Sequence, residues 1–185
     1  MAKILFINAC VRDNSRTLEL ANHVLSELQG DIEEINLFSV NIPTLDKKGL
    51  KARENASIAK DYSSSEFLLA KQFASAEIIV IGAPYWDLMF PAVLKNYFEN
   101  ITVSGLTFDY SKKGMPYGLC NAKRLIYVTT AGGPIVYNFG FDYVSALAKN
   151  FYGIPSIQLV KAEGLDICGA NVSQIIKQAK QSFKL

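Results

Sequence analysis

Ile78-Ile79-Val80-Ile81 sets a β-branched apolar side chain at four positions in a row between Glu77 and Gly82. A strand with one wet face alternates apolar and polar residues. A strand apolar at every position must be covered on both faces, as in the middle of a parallel sheet. Glu77–Gly82 is read as such a strand, and the rest of the chain supplies its covers. Apolar runs alternate with helical periods from end to end. Lys3–Asn8 is a first strand. Leu18, Ala21, Val24, Leu25 and Leu28 then recur at the helical period, starting near Thr17 and stopping at Gly30. Ile32–Leu37 is a short second strand, and Glu66–Ser75 a second helix with Phe67, Leu68, Ala70 and Phe73 on one stripe. Beyond the Glu77–Gly82 strand, Pro91 fits the first turn of a third helix whose Leu94, Tyr97, Phe98 and Ile101 share a face. Arg124–Thr130 is strand four, Phe141–Tyr152 a helix with Gly153 past its end, and Ser156–Ala162 strand five. A last helix starts near Asn171 or Ser173, with Val172, Ile175, Ile176, Ala179 and Phe183 inward.

Five β–α units predict an α/β three-layer sandwich, a parallel sheet with helices on both faces. The common order for five such strands is 2-1-3-4-5, with ligands bound beyond the carboxyl ends of the strands, at the switch point between strands 1 and 3. The loops after strands 1, 3 and 4 are then expected side by side. No repeat or linker interrupts the pattern, so residues 1–185 read as one domain. Two connections are long. Ser39–Ser65 is polar, with Pro43 and Gly49, and is expected to be loosely helical and to cover an edge of the site. Ser104–Ala122 reads as a second long loop.

Composition excludes several functions. Half of the 185 residues are hydrophobic, enough for a full-sized core. Nineteen basic residues against 17 acidic ones are too balanced for a nucleic-acid binder, and basic runs stop at pairs such as Lys47-Lys48 and Lys112-Lys113. The balance is equally unlike a strongly acidic electron carrier. The lone histidine, His23, falls in a polar slot of the first helix, which argues against His-based acid–base or metal chemistry. Cys10, Cys120 and Cys168 form no C-x-x-C pair and read as reduced thiols of a cytoplasmic protein. The Ile4–Val11 run lacks the charged cluster and the exit site of a signal peptide and fits a strand better. No run approaches 18 apolar residues, so no membrane span is expected.

The loop after strand 1 is Ala9-Cys10-Val11-Arg12-Asp13-Asn14-Ser15-Arg16-Thr17. It leads into a helix start, whose orphan N–H groups carry a partial positive charge. The hydroxyls of Ser15 and Thr17 and the cations of Arg12 and Arg16 complete a cradle for a phosphate dianion. The loop has no glycine, so it matches neither the dinucleotide fingerprint nor the GxxxxGK[ST] loop, and a monophosphate suits it better. The same residues also describe an ordinary capped helix with two solvated arginines. After strand 3 comes Ala83-Pro84-Tyr85-Trp86-Asp87-Leu88-Met89-Phe90-Pro91. Three aromatics and a methionine at the mouth of a sheet suit a flat, wide ring, although a core cap or an oligomer interface would look alike. After strand 4 comes Thr129-Thr130-Ala131-Gly132-Gly133-Pro134, whose glycines let the main chain approach a ligand or simply turn. A phosphate cradle, an aromatic platform and a Gly-Gly turn on adjacent strands point to a phosphate carrying a planar ring, FMN.

Ala83-Pro84-Tyr85-Trp86, Leu94-Lys95-Asn96-Tyr97-Phe98 and Gly105-Leu106-Thr107-Phe108-Asp109-Tyr110 follow one another in the order and spacing of a known family. The chain resembles the flavodoxin-like NAD(P)H:quinone oxidoreductases, most closely the FMN-dependent NADH-azoreductases, along essentially its whole length. The resemblance implies non-covalent FMN, NADH or NADPH as donor, and a homodimer with two active sites at its interface. It also implies ping-pong reduction of quinones or azo compounds. Ser15, Arg16 and Thr17 would hold the phosphate, in a loop that also contains Cys10 and Arg12. Tyr85, Trp86, Asp87 and Leu88, following Pro84, would run along the isoalloxazine. Thr130, Ala131, Gly132 and Gly133 would meet its pyrimidine side. Asp87 stands where azoreductases commonly have Asn, and Ala131 where a bulkier polar residue is common. The chain is also somewhat shorter than typical azoreductases. No side chain is assigned a catalytic role, because N5 of the flavin carries the hydride. Tyr110, Tyr137, Asn138 and Phe139 are candidates for the far wall of the substrate pocket. The rivals are a non-catalytic flavodoxin-type electron carrier and a phospho-receiver domain. The receiver needs acids after strand 1 and an aspartate ending strand 3, where this chain has Asn8 and Gly82.

Overall fold

Strands β1 (Ala2–Asn8), β2 (Gly30–Asn36), β3 (Ile78–Gly82), β6 (Arg124–Thr130) and β7 (Ser156–Ala162) form one sheet in the computed structural model, which describes residues 1–185. Their order is β2-β1-β3-β6-β7, all parallel, which is the 2-1-3-4-5 order expected for the central sheet. Because side chains alternate across a strand, the four apolar residues of β3 divide between the faces. Ile79 and Ile81 join Leu5, Ile7, Leu125 and Tyr127 on one face. That face is covered by α3 (Leu68–Ser75), α4 (Ala92–Ile101) and α5 (Phe139–Leu147). Val80 joins Ile4, Phe6, Ile126 and Val128 on the other, beneath α1 (Arg16–Glu27) and α6 (Val172–Ser182). Ile79, Val80 and Ile81 are each fully buried, a stabilisation of roughly 1.5–3 kcal/mol apiece. His23 lies on α1, half-buried, with Nε2 3.3 Å from the carbonyl of Lys180 on α6.

The structure departs from the sequence reading where the apolar pattern is weak. Gly30 is the first residue of β2, not a helix stop. A Cβ there would collide with the carbonyl of Ala2, so the glycine permits close pairing with β1. The Ser39–Ser65 stretch, expected to be loosely helical, holds a regular 13-residue helix, α2 (Lys47–Ala59). Asp46 caps it by accepting from the N–H of Gly49 at 2.8 Å, and Lys60 ends it in the left-handed region at φ 53°. Ala56 is its one buried residue, so no apolar stripe announces it. The stretch docks on α4, with Asn96 and Asn100 donating to the carbonyls of Ile42 and Pro43. Arg53 donates to the Asn100 carbonyl in the same contact.

Within 104–122 lies an antiparallel hairpin, β4 (Phe108–Tyr110) and β5 (Pro116–Gly118). It packs on the π-helical turn Ala148–Tyr152 that extends α5, where Gly118 and Gly153 nearly touch. That turn precedes β7 and the hairpin precedes β6, so both lie at the amino ends of the strands. No helix is long and apolar enough to cross a membrane.

Candidate functional site

At the carboxyl ends of the strands, β1 hands the chain to α1 through a loop fixed from below. Buried Asn8 donates to Glu34 at 2.8 Å and accepts from the N–H of Cys10 at 2.9 Å. The N–H of Ala9 reaches the carbonyl of Gly82, tying the loop to β3. Ser15 caps α1, its Oγ accepting from the N–H of Leu18 at 3.1 Å. A hydroxyl that accepts still has its proton to donate. The N–H groups of Arg16 and Thr17, in the first turn, have no acceptor in the chain. They are the orphan donors that make a helix start attract anions. Thr17 is buried, and its Oγ1 lies 2.6 Å from Oγ1 of Thr130, so the cradle is joined to the end of β6. Arg12 is exposed.

The second wall follows β3. The N–H of Tyr85 bonds to the carbonyl of Thr130 at 3.0 Å, and its hydroxyl donates to the carbonyl of Tyr137 at 2.7 Å. Trp86 and Met89 then exchange both backbone hydrogen bonds, at 2.8 and 2.9 Å, closing a two-residue turn. Asp87 and Leu88 occupy its centre with φ 49° and 67°. Two successive positive φ values define a type I′ turn, which favours Asn-Gly and is strained for leucine. The third wall follows β6. The carbonyls of Ala131, Gly132 and Gly133 accept from the N–H groups of Leu165, Asp166 and Gly164, in the loop after β7. Glu163 of the same loop accepts from the N–H of Ile135 at 2.9 Å. That hydrogen bond holds its carboxyl below the usual carboxylate range, against the opposing effect of burial. The N–H groups of Gly132 and Gly133 are left without an acceptor in the chain.

These walls enclose a cleft of about 280 Å³. Arg12, Ser15, Arg16 and Thr17 line it from the first wall, Pro84, Tyr85 and Trp86 from the second, and Thr130, Ala131 and Gly132 from the third. The three loops expected side by side are side by side. Four expected residues lie outside the lining. Cys10 is buried beneath the loop with Sγ 3.6 Å from the Gly82 carbonyl, and burial pushes its thiol up to about 11. It fills space under the cradle. Asp87 and Leu88 are the exposed tip of the turn, and Gly133 lies just beyond the cleft, also exposed.

The substrate candidates divide. Tyr137 and Phe139 are exposed and stack on each other with ring centroids 5.6 Å apart, beside the Tyr85 hydroxyl. The Asn138 side chain caps α5 by accepting from the N–H of Phe141 at 3.1 Å, a structural task. Tyr110 lies on the β4–β5 hairpin, edge-on to Phe108, at the opposite end of the sheet from the cleft of its own chain. Of the apolar loop 134–143, Val136, Tyr137 and Phe139 are exposed, whereas Phe141 and Tyr143 pack on the core. No residue of 39–65 lines the cleft, so that stretch does not cover its edge.

Sequence reasoning missed four lining residues: Val11, Asn14, Leu165 and Asp166. Asp166 matters most, because its Oδ1 holds Arg16 Nη1 at 2.7 Å. Glu163-Gly164-Leu165-Asp166 directly after strand five was the available signal, since that strand neighbours the Gly-Gly loop. The residues present fit FMN. Unpaired helix-start N–H groups, two hydroxyls and two arginines suit a phosphate, and Tyr85 and Trp86 offer faces for a ring. At Gly132 a Cβ would meet the Asp166 carboxylate, so the bare glycine lets that side chain lie against the wall.

Residues 2–185 match a family model described as flavodoxin-like fold. A protein of Coprothermobacter proteolyticus named FMN-dependent NADH:quinone oxidoreductase is 34% identical over 203 residues, covering 100% of this chain and 99% of that protein. One of the same name from Lachnoclostridium phytofermentans is 33% identical over 195 residues, covering 100% and 98%. Among solved structures, an FMN-dependent NADH-azoreductase from Bacillus anthracis in complex with FMN is 25% identical. It superposes with a TM-score of 0.79 over 98% of this chain and 97% of that one. A second azoreductase from that organism, at 22% identity and a TM-score of 0.83, shares the fold over 98% of this chain and 96% of the other. With its switch-point cleft, its strand order and relatives matched from end to end, the chain belongs to the flavodoxin-like family of FMN-dependent NADH:quinone oxidoreductases and azoreductases.

Proposed function

We propose that this protein binds FMN in the cleft and works as an NADH:quinone oxidoreductase that also accepts azo compounds. The observation that carries the reading is the joining of a phosphate cradle, an aromatic lip and the free Gly132 N–H at Thr130, whose hydroxyl meets Thr17 and whose carbonyl accepts from the N–H of Tyr85. When bound, FMN supplies two-electron hydride chemistry, taking electrons from NADH and passing them to the acceptor in turn. The N–H groups of Arg16 and Thr17, with the Ser15 hydroxyl, hold the phosphate. Tyr85 and Trp86 pack on the ring, and the N–H group of Gly132 faces the side where negative charge accumulates on reduction. Tyr137 and Phe139 form a flat apolar wall for the donor and the acceptor, which use one opening in succession and so follow ping-pong kinetics.

The cleft, at about 280 Å³, is small for a ligand the size of FMN and open to one side. Trp86 at its lip, Leu88 in the same turn, and Val136, Tyr137 and Phe139 next to Tyr85 are all exposed. A second copy of the chain covers it in our reading, making a two-fold dimer with each site completed across the interface. The test is direct. The purified protein should show a flavin absorption spectrum, release FMN on denaturation, lose its visible band on titration with NADH, and regain it with a quinone. Release of FAD, or an apo-protein that fails to take up FMN, would refute the reading. Steady-state plots against NADH at several quinone concentrations should be parallel, and intersecting lines would replace ping-pong turnover by a ternary complex.

A further inference from the structure

Arg16 is the cation nearest the start of α1, and it is already engaged. Its Nη1 lies 2.7 Å from Asp166 Oδ1 and 3.4 Å from the carbonyl of Leu165. Asp166 belongs to the loop after β7, and its own N–H holds the carbonyl of Gly132 at 2.8 Å. Its carboxylate lies over Gly132, in the space a Cβ there would need. A single carboxylate thus spans the phosphate wall and the Gly-Gly wall, while its second oxygen, Oδ2, receives no hydrogen bond.

We infer that Asp166 is a specificity-determining residue that sets how strongly the cleft prefers a phosphorylated flavin over the same flavin without its phosphate. The inference rests on the FMN reading above. A guanidinium has five N–H donors, and Asp166 and Leu165 together occupy one of its nitrogens, leaving Nε and Nη2 able to turn to an anion. A phosphate dianion beside Arg16 meets the cation and the carboxylate together. It gains attraction from the first and repulsion from the second, so the ion pair discounts the charge that the arginine offers. Both side chains are well exposed, at 41% and 68%, so solvent screens the effect to a moderate size. A flavin without phosphate feels neither charge strongly. Asp166 therefore lowers affinity for FMN and leaves affinity for riboflavin unchanged. The cradle then relies on its N–H groups and on Thr17 more than on its arginine.

The experiment titrates flavin-stripped protein with FMN and with riboflavin, reading the quenching of flavin fluorescence. Asp166→Asn keeps an oxygen acceptor for Arg16 and removes only the charge. It should tighten FMN about three- to fivefold while leaving riboflavin within about twofold, the upper end of the scale of an exposed ion pair. An FMN affinity unchanged or weakened by Asp166→Asn, in a protein whose wild type prefers FMN to riboflavin, overturns the inference and leaves the FMN reading intact. A wild type that binds FMN no more tightly than riboflavin overturns the phosphate cradle itself, and that result needs no variant. Should Asp166→Asn fail to fold, Asp166→Ser serves in the same titration with the same expected direction.

Discussion

Thr17 holds two parts of the site together with a single hydroxyl. It is buried, 2.6 Å from the Thr130 hydroxyl, in the first turn of α1. Thr17→Ala should weaken FMN binding by about 1–3 kcal/mol, the scale of a hydrogen bond to a charged group together with a partner left unpaired. A fluorescence titration checks this, and an unchanged affinity would move the phosphate elsewhere. The cysteines divide by burial. Cys10 has a thiol pushed up to about 11 by desolvation and Cys120 one pushed up to about 12 by the same cause, whereas Cys168 is exposed. Because the thiolate is the reactive form, an alkylating reagent near pH 8 should label Cys168 in the folded protein and reach the other two only after denaturation. Mass spectrometry of the labelled peptides reads this directly, and rapid labelling of Cys10 would mean that the loop above it opens.

Between neighbouring elements, the cleft depends on two short segments that no regular structure stabilises. The Trp86–Met89 turn places Leu88 at φ 67°, a conformation that costs a side-chain-bearing residue roughly 1–2 kcal/mol. Leu88→Gly should relieve that strain and stabilise the fold by a few tenths to about 1 kcal/mol, after the added freedom of the unfolded chain is discounted. Thermal unfolding measures the gain, and a drop in stability would mean that the leucine packs against something the isolated chain does not contain. The Glu163–Asp166 loop clamps the Gly-Gly wall, and the Glu163 carboxyl is held low by the N–H of Ile135. A carboxylate with a depressed value stabilises the fold fully above the ordinary glutamate range. It loses that contribution as the pH falls through the depressed value beneath that range. Glu163→Gln should therefore be less stable than wild type near neutral pH, with the difference closing in acid. Paired unfolding curves at neutral and acid pH decide it, and a gap that is constant with pH would exclude a charge-based clamp.

For the whole molecule, the exposed Val136, Tyr137 and Phe139, joined to the cleft through the Tyr85–Tyr137 hydrogen bond, are a surface made to be covered. Sedimentation analysis should find a dimer, and dilution below its dissociation constant should lower activity and FMN affinity together. A monomer with full activity would remove the shared site. The hairpin at the opposite end of the sheet exposes Tyr110, Met115, Tyr117 and Leu119. Tyr110 cannot reach the cleft of its own chain, so in our reading any contact it makes with substrate is through a second copy.

The strand order and the place of the cleft were determined by the sequence alone, through period and punctuation. Residues apolar at every position of β3 demand two covers, and parallel strands joined by helices put their chemistry at one end. That Ser15, Thr17 and Thr130 line the cleft was legible for the same reason, since each lies where an apolar run meets a helix start or ends a strand. What remained hidden lay in elements without an apolar stripe or in pairings distant along the chain. The bounds of helix α2, which buries only Ala56, carried no signal within a stretch expected to be loosely helical, and the β4–β5 hairpin has three residues to a strand, too few for alternation to register. The Arg16–Asp166 ion pair joins residues 150 positions apart. No local pattern links them. Tertiary packing likewise decided that Cys10 lies beneath the cradle and that Tyr110 faces away from it, because burial and position across a sheet are set by what the finished fold stacks on each residue, while the residue's own chemistry stays the same.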